Sequence, residues 1–303
     1  MFKVLNRIRR FVGSQQEILQ QLDRMSMALG RVEARQTTRA ASLQEAEFQV
    51  SSQWGEDGII EYLLDKVLIE RPIFVEFGIQ DYKESNTRFL LQHRNWAGLV
   101  IDGSAENIAI VKSDPIYWRY NLKALAAFID RDNINSVIAE GGIAGDIGIL
   151  SIDIDGNDYW VWEAITVISP RIVVAEYNSL FGPKAKITVP YDQKFQRTAA
   201  HHSNLYWGAS ICALAHLGEL KGYVLVGSNS AGNNVFFVRG DLCGSLKPIA
   251  PVNAWVQAQF RESRSADGTS TFLSFEQAQS QILNMPVWDL GLNRALAFKE
   301  TLR

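Results

Sequence analysis

Five apolar runs in this sequence end on acidic residues. The segments are Glu76-Phe77-Gly78-Ile79-Gln80-Asp81, Asp102-Gly103-Ser104, Ile129-Asp130-Arg131-Asp132, Asp153 to Asp158, and Glu176-Tyr177-Asn178. Acids placed at the ends of buried segments are costly unless they meet donors or cations. Capping of the next helix explains Asp132 or Asp158, and explains Asp153 and Glu176 poorly. Asp153 and Asp155 are two apart and share a face if the strand is regular, as do Glu176 and Asn178. Three carboxylates and an amide are hard oxygen ligands of the kind Mg²⁺ takes. An ion held there would lower the pKa of a substrate hydroxyl and orient it. A second candidate is His201, in tandem with His202 inside the long segment 179–205. An imidazole titrating near pH 7 can accept a hydroxyl proton; a solvated surface loop is the plainer reading of the pair.

The elements that must position these groups follow from periodicity. Strand-length apolar runs (73–78, 99–102, one within 117–129, 149–155, 171–177) alternate with helix-length segments (84–94, 104–112, 133–140 opened by Asp132, 158–165). After the insertion 179–205 come a helix over 206–220 and two strands, 223–227 and 234–240. This spacing implies a mostly parallel sheet of seven strands covered on both faces, with an antiparallel last strand. In such sheets ligands bind beyond the carboxyl ends of the strands, where the acids lie.

Asp102 follows Glu76 by 26 residues and ends the second strand, the position from which an acid takes a ribose diol. The first loop, GIQDYKES, has one glycine where a pyrophosphate needs several points of close backbone approach. A nucleoside without pyrophosphate, such as S-adenosylmethionine, asks less of it; NAD is the weaker alternative.

FVEFGIQDYKESNTRFLL (74–91), GLVIDGS (98–104), ILSIDIDGNDYWVWEAI (149–165), RIVVAEYN (171–178) and the stretch 206–239 resemble class I S-adenosylmethionine-dependent methyltransferases, most closely the FkbM-like group. Gln80 departs from the pattern, standing where these enzymes often carry a second glycine. The resemblance implies a Rossmann-like fold with S-adenosylmethionine as cofactor. It places Glu76 and Gly78 against the methionine part, Asp102 on the ribose, and Phe128, Ile129 and Asp130 beside the adenine, with Asn86 a further first-loop candidate. Some O-methyltransferases of this class hold a divalent ion through acids like Asp153 and Glu176, with Asp155 and Asn178 completing the set here; the simpler alternative has Asp153 on the cofactor amine and Asp155 capping the next helix. The implied reaction is O-methylation of a sugar, glycan or small natural product, with Asp153 and His201 as catalytic candidates. The rival reading is a catalytically degenerate fold serving as a coiled-coil scaffold.

Residues 1–47 differ from the rest. Within 1–40, eight Lys/Arg face three acids, although the whole chain has net charge -3. Val4, Ile8, Phe11, Ile18, Leu22, Met25, Leu29 and Val32 follow a heptad seam in which Gln15 fills the skipped position. The seam implies a homo-oligomer through this helix. An amphipathic helix folded onto its own domain is the competing expectation. Lys3, Arg7, Arg9 and Arg10 beside Phe2, Leu5 and Phe11 suggest a third, peripheral contact with an inner-membrane surface. The domains read as arm and linker (1–47), methyltransferase domain (48–245) and packing extension (246–303), the last helical in pieces over 274–303. Gln53 to Asp57 reads as a cofactor lid, and Tyr191 and Tyr206 as candidates to stack on a sugar.

The 303 residues are 47% hydrophobic and 21% charged, enough for a packed core and unlike a disordered or fibrous chain. Charge and aromatics form no basic stripe, so no nucleic-acid partner is expected. Cys212 and Cys243 form no framework, no apolar run spans a membrane and the start lacks a secretory h-region. The expected location is cytoplasmic.

Overall fold

The run Ile73-Phe74-Val75-Glu76-Phe77 alternates its apolar side chains between two cores, and the rest of the fold is arranged around that strand. The structure is a computed structural model; it describes the backbone of residues 2–302 and the side chains of Gln15 and residues 17–302. In chain order its elements are α1 (Phe2–Ala34), α2 (Glu56–Lys66), β1 (Ile73–Phe77), α3 (Arg88–Arg94), β2 (Ala97–Asp102), α4 (Ala105–Ser113), α5 (Pro115–Arg119) and β3 (Leu122–Ala126). There follow α6 (Ile134–Glu140), β4 (Gly145–Ile152), α7 (Asp158–Ala164), β5 (Ile168–Glu176), β6 (Ile187–Thr188), α8 (Arg197–Ala200), α9 (Ile211–Leu220), β7 (Tyr223–Ser228) and β8 (Asn234–Arg239). The chain ends with α10 (Pro251–Ala254), β9 (Ser263–Arg264), β10 (Ser270–Thr271), α11 (Phe275–Ile282), β11 (Pro286–Asp289) and β12 (Arg294–Ala297).

Seven strands form one sheet in the order β3-β2-β1-β4-β5-β8-β7. All pair in parallel except β8, which runs antiparallel to both β5 and β7. The fold is therefore the expected Rossmann-like α/β arrangement of class I methyltransferases. One face packs Val75, Leu99, Ile101 and Leu150 beneath α6, α7 and α9. The other packs Phe74, Val100, Ile149 and Ile172 beneath α2, α3 and α4. Both faces are buried, which accounts for the nearly continuous apolar character of β1, β4 and β5.

Several boundaries differ from the sequence reading. The strand expected over 149–155 ends at Ile152, because the Asp158 carboxylate accepts from Ile154 N and Gly156 N (2.9 Å each) and turns the chain. The helix expected from residue 206 starts at Ile211 with Ser210 as its cap. Residues before it are held extended by the bridge between Thr188 and Ala209, and Gly208 has φ +65°. Asp132 caps nothing; the Asp130 carboxylate instead accepts from the amides of Asp132 and Asn133 at 2.8 Å. Of the pieces expected to be helical over 274–303, α11, with a capping box at Ser274 and Gln277, and a 3-10 helix at Phe298–Thr301 are helical; between them lies the hairpin β11–β12, which pairs with β6. Pro286 starts that hairpin, where a helix interior would not accept it.

Segment 36–50, which reads as a linker, is built into the domain: Leu43 and Ala46 are buried, and Gln44 Nε2 donates to Ser228 O at 2.6 Å. The end of α1 also docks. Met27, Gly30 and Ala34 lie against Phe48, Val50 and Phe89. A Cβ on Gly30 would sit 2.3 Å from Val50 Cγ2, so only glycine allows this approach. The folded-back helix is thus realised on one face. The seam residues Ile18, Leu22, Met25, Leu29 and Val32 lie on another and are 49–68% exposed. The seam positions Val4, Ile8 and Phe11 and the basic cluster Lys3, Arg7, Arg9 and Arg10 lie outside the described side chains. No described helix is long and apolar enough to cross a membrane.

Candidate active site

β1, β2, β4 and β5 end side by side, so the loops that follow them share one edge of the sheet. A cleft runs along that edge. One recess, about 180 Å³, is lined by Gly78, Gln80, Asp102, Phe128, Ile129 and Asn157, among others. The other, about 540 Å³, reaches Glu76, Asn86, Asp153, Asp155, Glu176 and Arg197. Gly78, Gln80, Phe128, Asp153 and Asp155 border both.

Gly78 is where the two strand ends touch. Its φ is +71°, and a Cβ there would lie 1.6 Å from the carbonyl oxygen of Asp153. Gln80, two residues on, takes a left-handed φ of +47° without being glycine. Its amide donates to Asp102 Oδ2 at 2.8 Å, a bond that fixes the strained conformation. Asp102 Oδ1 accepts from Ser104 N at 2.8 Å and Asn107 Nδ2 at 3.0 Å. Asp102 is thus held as an acceptor by three donors, with part of its lone-pair capacity still open toward the recess. Phe128 is half exposed beside it, and Ile129 is buried.

Glu76 is buried at the end of β1 and gathers the first loop. It accepts from Asn86 N (2.8 Å), Ser85 Oγ (3.1 Å), Thr87 N (3.2 Å) and the Thr87 hydroxyl. Burial raises its pKa to about 6 against the opposing effect of these bonds. Asn86 Nδ2 donates to Ser151 Oγ at 3.1 Å, tying the loop to β4.

At the other end, one carboxylate oxygen each of Asp153, Asp155 and Glu176 come within 4.8 Å of one another. Asp155 reaches the cluster from a left-handed turn (φ +55°), not from strand alternation. The Asp153 and Glu176 carboxyls lie close together in this cluster, and both are held well above the ordinary carboxylate range. Burial is the main cause, and repulsion adds to it, from Asp155 on Asp153 and from Asp153 on Glu176. Glu176 Oε2 is buried and has no partner among the described residues. Arg197, on α8, supplies the nearest cation. Its Nη1 donates to Asp155 Oδ1 at 2.6 Å, Nε donates to Asn204 O at 2.7 Å, and the guanidinium lies 4.9 Å from the Trp207 ring.

The other expected residues have different surroundings. Asn178 Nδ2 donates to Leu205 O and Trp207 O (3.0 Å each), and Oδ1 accepts from Leu180 N, so this amide caps a turn. Asp130 accepts from two backbone amides and from Gln193 Nε2 at 2.8 Å, and lines neither recess. His201 also lines neither; its Nδ1 pairs with Ser203 Oγ at 2.7 Å, and burial followed by His202 lowers its pKa. Tyr206 donates to Pro286 O at 2.5 Å from a buried position. In the expected lid, Gln53 borders the cleft, but Asp57 accepts from the amides of Val50, Ser51 and Ser52, and Glu56 accepts from Asn229 and Asn234. Both acids are locks. Arg197 was missed by sequence reasoning; a lone arginine in the insertion facing an acid-rich cleft was the available signal.

No protein-family model and no curated protein matches the chain. Among solved structures it is similar to the N-terminal domain of EvdMO1 with SAH bound, at 9% identity over 63% of this chain and 81% of that one, TM-score 0.40. It is similar to the same domain in the presence of SAH and D-fucose, at 10% identity over 72% and 97%, TM-score 0.40. A putative O-methyltransferase from Klebsiella pneumoniae is similar at 9% identity over 70% and 87%, TM-score 0.39.

Proposed function

We propose that the chain is an S-adenosylmethionine-dependent O-methyltransferase of the FkbM-like kind, acting on a hydroxyl of a sugar, glycan or small natural product. The observation that carries the reading is the continuous cleft with Asp102, a hydrogen-bonded acceptor, at one end and the buried carboxyls of Asp153 and Glu176 at the other. Asp102 takes the ribose hydroxyls, Phe128 and Ile129 flank the adenine, and Gly78 with the loop that Glu76 and Asn86 organise receives the methionine part. S-adenosylmethionine supplies a methyl group already activated on a sulfonium.

The acceptor hydroxyl lies against Asp153 and Glu176. As its oxygen forms the new C–O bond and the C–S bond breaks, its proton passes to the ionised member of the pair. A carboxylate held well above its ordinary range is a stronger base near neutral pH, and positioning supplies the rest of the rate. Arg197 holds Asp155 in place. The orphaned Glu176 oxygen and two neighbouring carboxylates also fit a divalent cation such as Mg²⁺, with Asp153, Asp155 and Glu176 as its protein ligands. Such an ion would lower the pKa of the acceptor hydroxyl. The exposed heptad seam of α1 makes a second copy of the chain the partner we assign to that helix.

Calorimetric titration with S-adenosylmethionine, with NAD as control, tests the reading. Saturable binding of S-adenosylmethionine that Asp102→Ala abolishes is the expected result. No binding by folded wild-type protein, with or without Mg²⁺, overturns it.

A further inference from the structure

A second cavity, about 360 Å³, lies beside the acid cluster and plays no part in holding a nucleoside. Its walls include Leu180, Leu205, Trp207, Phe260, Leu273 and Phe275. The last three belong to the segment beyond the sheet, which also contributes β9, β10 and α11. Three polar side chains of the wall are already paired, while Gln257 and Arg261 of the lining are exposed. The Asn178 amide is committed to backbone groups, Ser179 Oγ accepts from Ala258 N at 3.1 Å, and Gln259 Nε2 donates to Ser230 O at 2.7 Å. The charged residues of the lining are Arg197, Arg261 and Glu262. Arg197 and Glu262 line both this chamber and the larger recess of the cleft, so the two spaces meet there. Trp54 stacks on Phe260, ring centroids 6.3 Å apart, and joins the chamber rim to the Gln53 side of the cleft.

We propose that this chamber receives the apolar part of the acceptor, so the substrate is amphiphilic: a hydroxylated head at Asp153 and Glu176 carrying an acyl, isoprenyl or aryl group that fills the chamber. Leu180, Leu205, Trp207, Phe260, Leu273 and Phe275 offer a ligand apolar contact, the volume lies in the range of pockets that bury small ligands, and the mouth opens on the site where the hydroxyl reacts. The inference rests on the acceptor assignment above and narrows it to one substrate class.

The test uses the whole protein and 1-O-alkyl glucosides, methyl to decyl, each below its critical micelle concentration. Affinity is read by calorimetry, in parallel with S-adenosylmethionine binding. Affinity is expected to rise with chain length, by up to about fourfold per methylene for full burial, and to level off when the chamber is full. Ala278→Trp, from the buried face of α11 that lines the chamber, should abolish the chain-length gain while leaving S-adenosylmethionine binding unchanged. Phe275→Ala serves should that variant not fold; it enlarges the chamber and should move the plateau to longer chains. Chain-length-independent affinity in a protein that binds S-adenosylmethionine overturns the chamber and spares the methyltransferase reading, as does a gain that neither variant alters. A chain-length gain that the variants do alter, in a protein that binds no S-adenosylmethionine, supports the chamber and overturns the methyltransferase reading.

Discussion

Asp102 and Glu176 end two strands, β2 and β5, of one sheet, yet their surroundings are opposite in kind. Asp102 accepts from two backbone amides and one side-chain amide. These bonds are made before any ligand arrives, as suits a group that only recognises. Glu176 is buried beside Asp153, is held well above the ordinary carboxylate range by burial, and leaves an oxygen unpaired among the described residues. Buried polar atoms are normally satisfied, so that orphan marks a group completed by something else: an acceptor hydroxyl or a cation. The cleft therefore has a finished end and an unfinished end.

Gly78 joins the two, and its replacement is the most damaging way to break the comparison. In Gly78→Ala the new methyl would meet the Asp153 carbonyl, and the φ of +71° disfavours any side chain. We expect a loss on the order of 3 kcal/mol or more, with S-adenosylmethionine binding lost as well. Thermal unfolding measures it. A wild-type melting temperature would mean that the β1 and β4 loops do not meet as described.

A smaller effect sharpens the comparison through pH. Glu76, Asp57 and Asp158 each sit at about 6 in the folded protein, pushed up by burial from ordinary values of 4.5, 3.8 and 3.8. The folded state holds these protons more tightly than the unfolded one. Their contribution is therefore full below the ordinary values and is lost as pH rises through about 6. Asp153 and Glu176 are shifted in the same direction by burial and add to the decline. The melting temperature should fall between pH 5.5 and 8. In Glu176→Gln the decline above pH 6 should flatten, leaving the variant more stable than wild type at pH 8 by on the order of 2 °C. Mg²⁺ at pH 8 should raise the wild-type melting temperature and not that of Glu176→Gln. A variant that follows the wild-type pH curve would mean that burial does not raise the Glu176 carboxyl as described.

What could be read from the sequence follows the same division. Asp102, Asp153 and Glu176 directly follow apolar runs, and local sequence is enough to place them at strand ends. Arg197 and the chamber could not be read this way. Arg197 reaches Asp155 only because the insertion folds back over the cleft, and the chamber walls come from segments distant in sequence, Leu180 to Trp207 and Phe260 to Ala278. Asn178 looked like a ligand by its spacing from Glu176, but a turn after β5 uses its amide. The hairpin β11–β12 was hidden because its short strands carry less signal than the helix before them.

The contrast of finished and unfinished surfaces recurs on α1, and there it yields the smallest change in stability. Met27, Gly30 and Ala34 are packed on the domain, whereas Leu22 and Leu29 of the seam stay 55% and 61% exposed. Apolar residues at heptad spacing, on a face turned away from the chain's own core, suit the same face of another copy. In Leu22→Glu/Leu29→Glu the domain should unfold within about 0.5 kcal/mol of wild type at concentrations where both are monomeric, because neither side chain is packed on the domain. Light scattering should nevertheless show the mass of the wild-type assembly falling to that of one chain. The two readouts separate the faces. A wild type that is already a single chain would leave the seam without its assigned partner, and a large loss of domain stability would mean that these leucines pack on their own core.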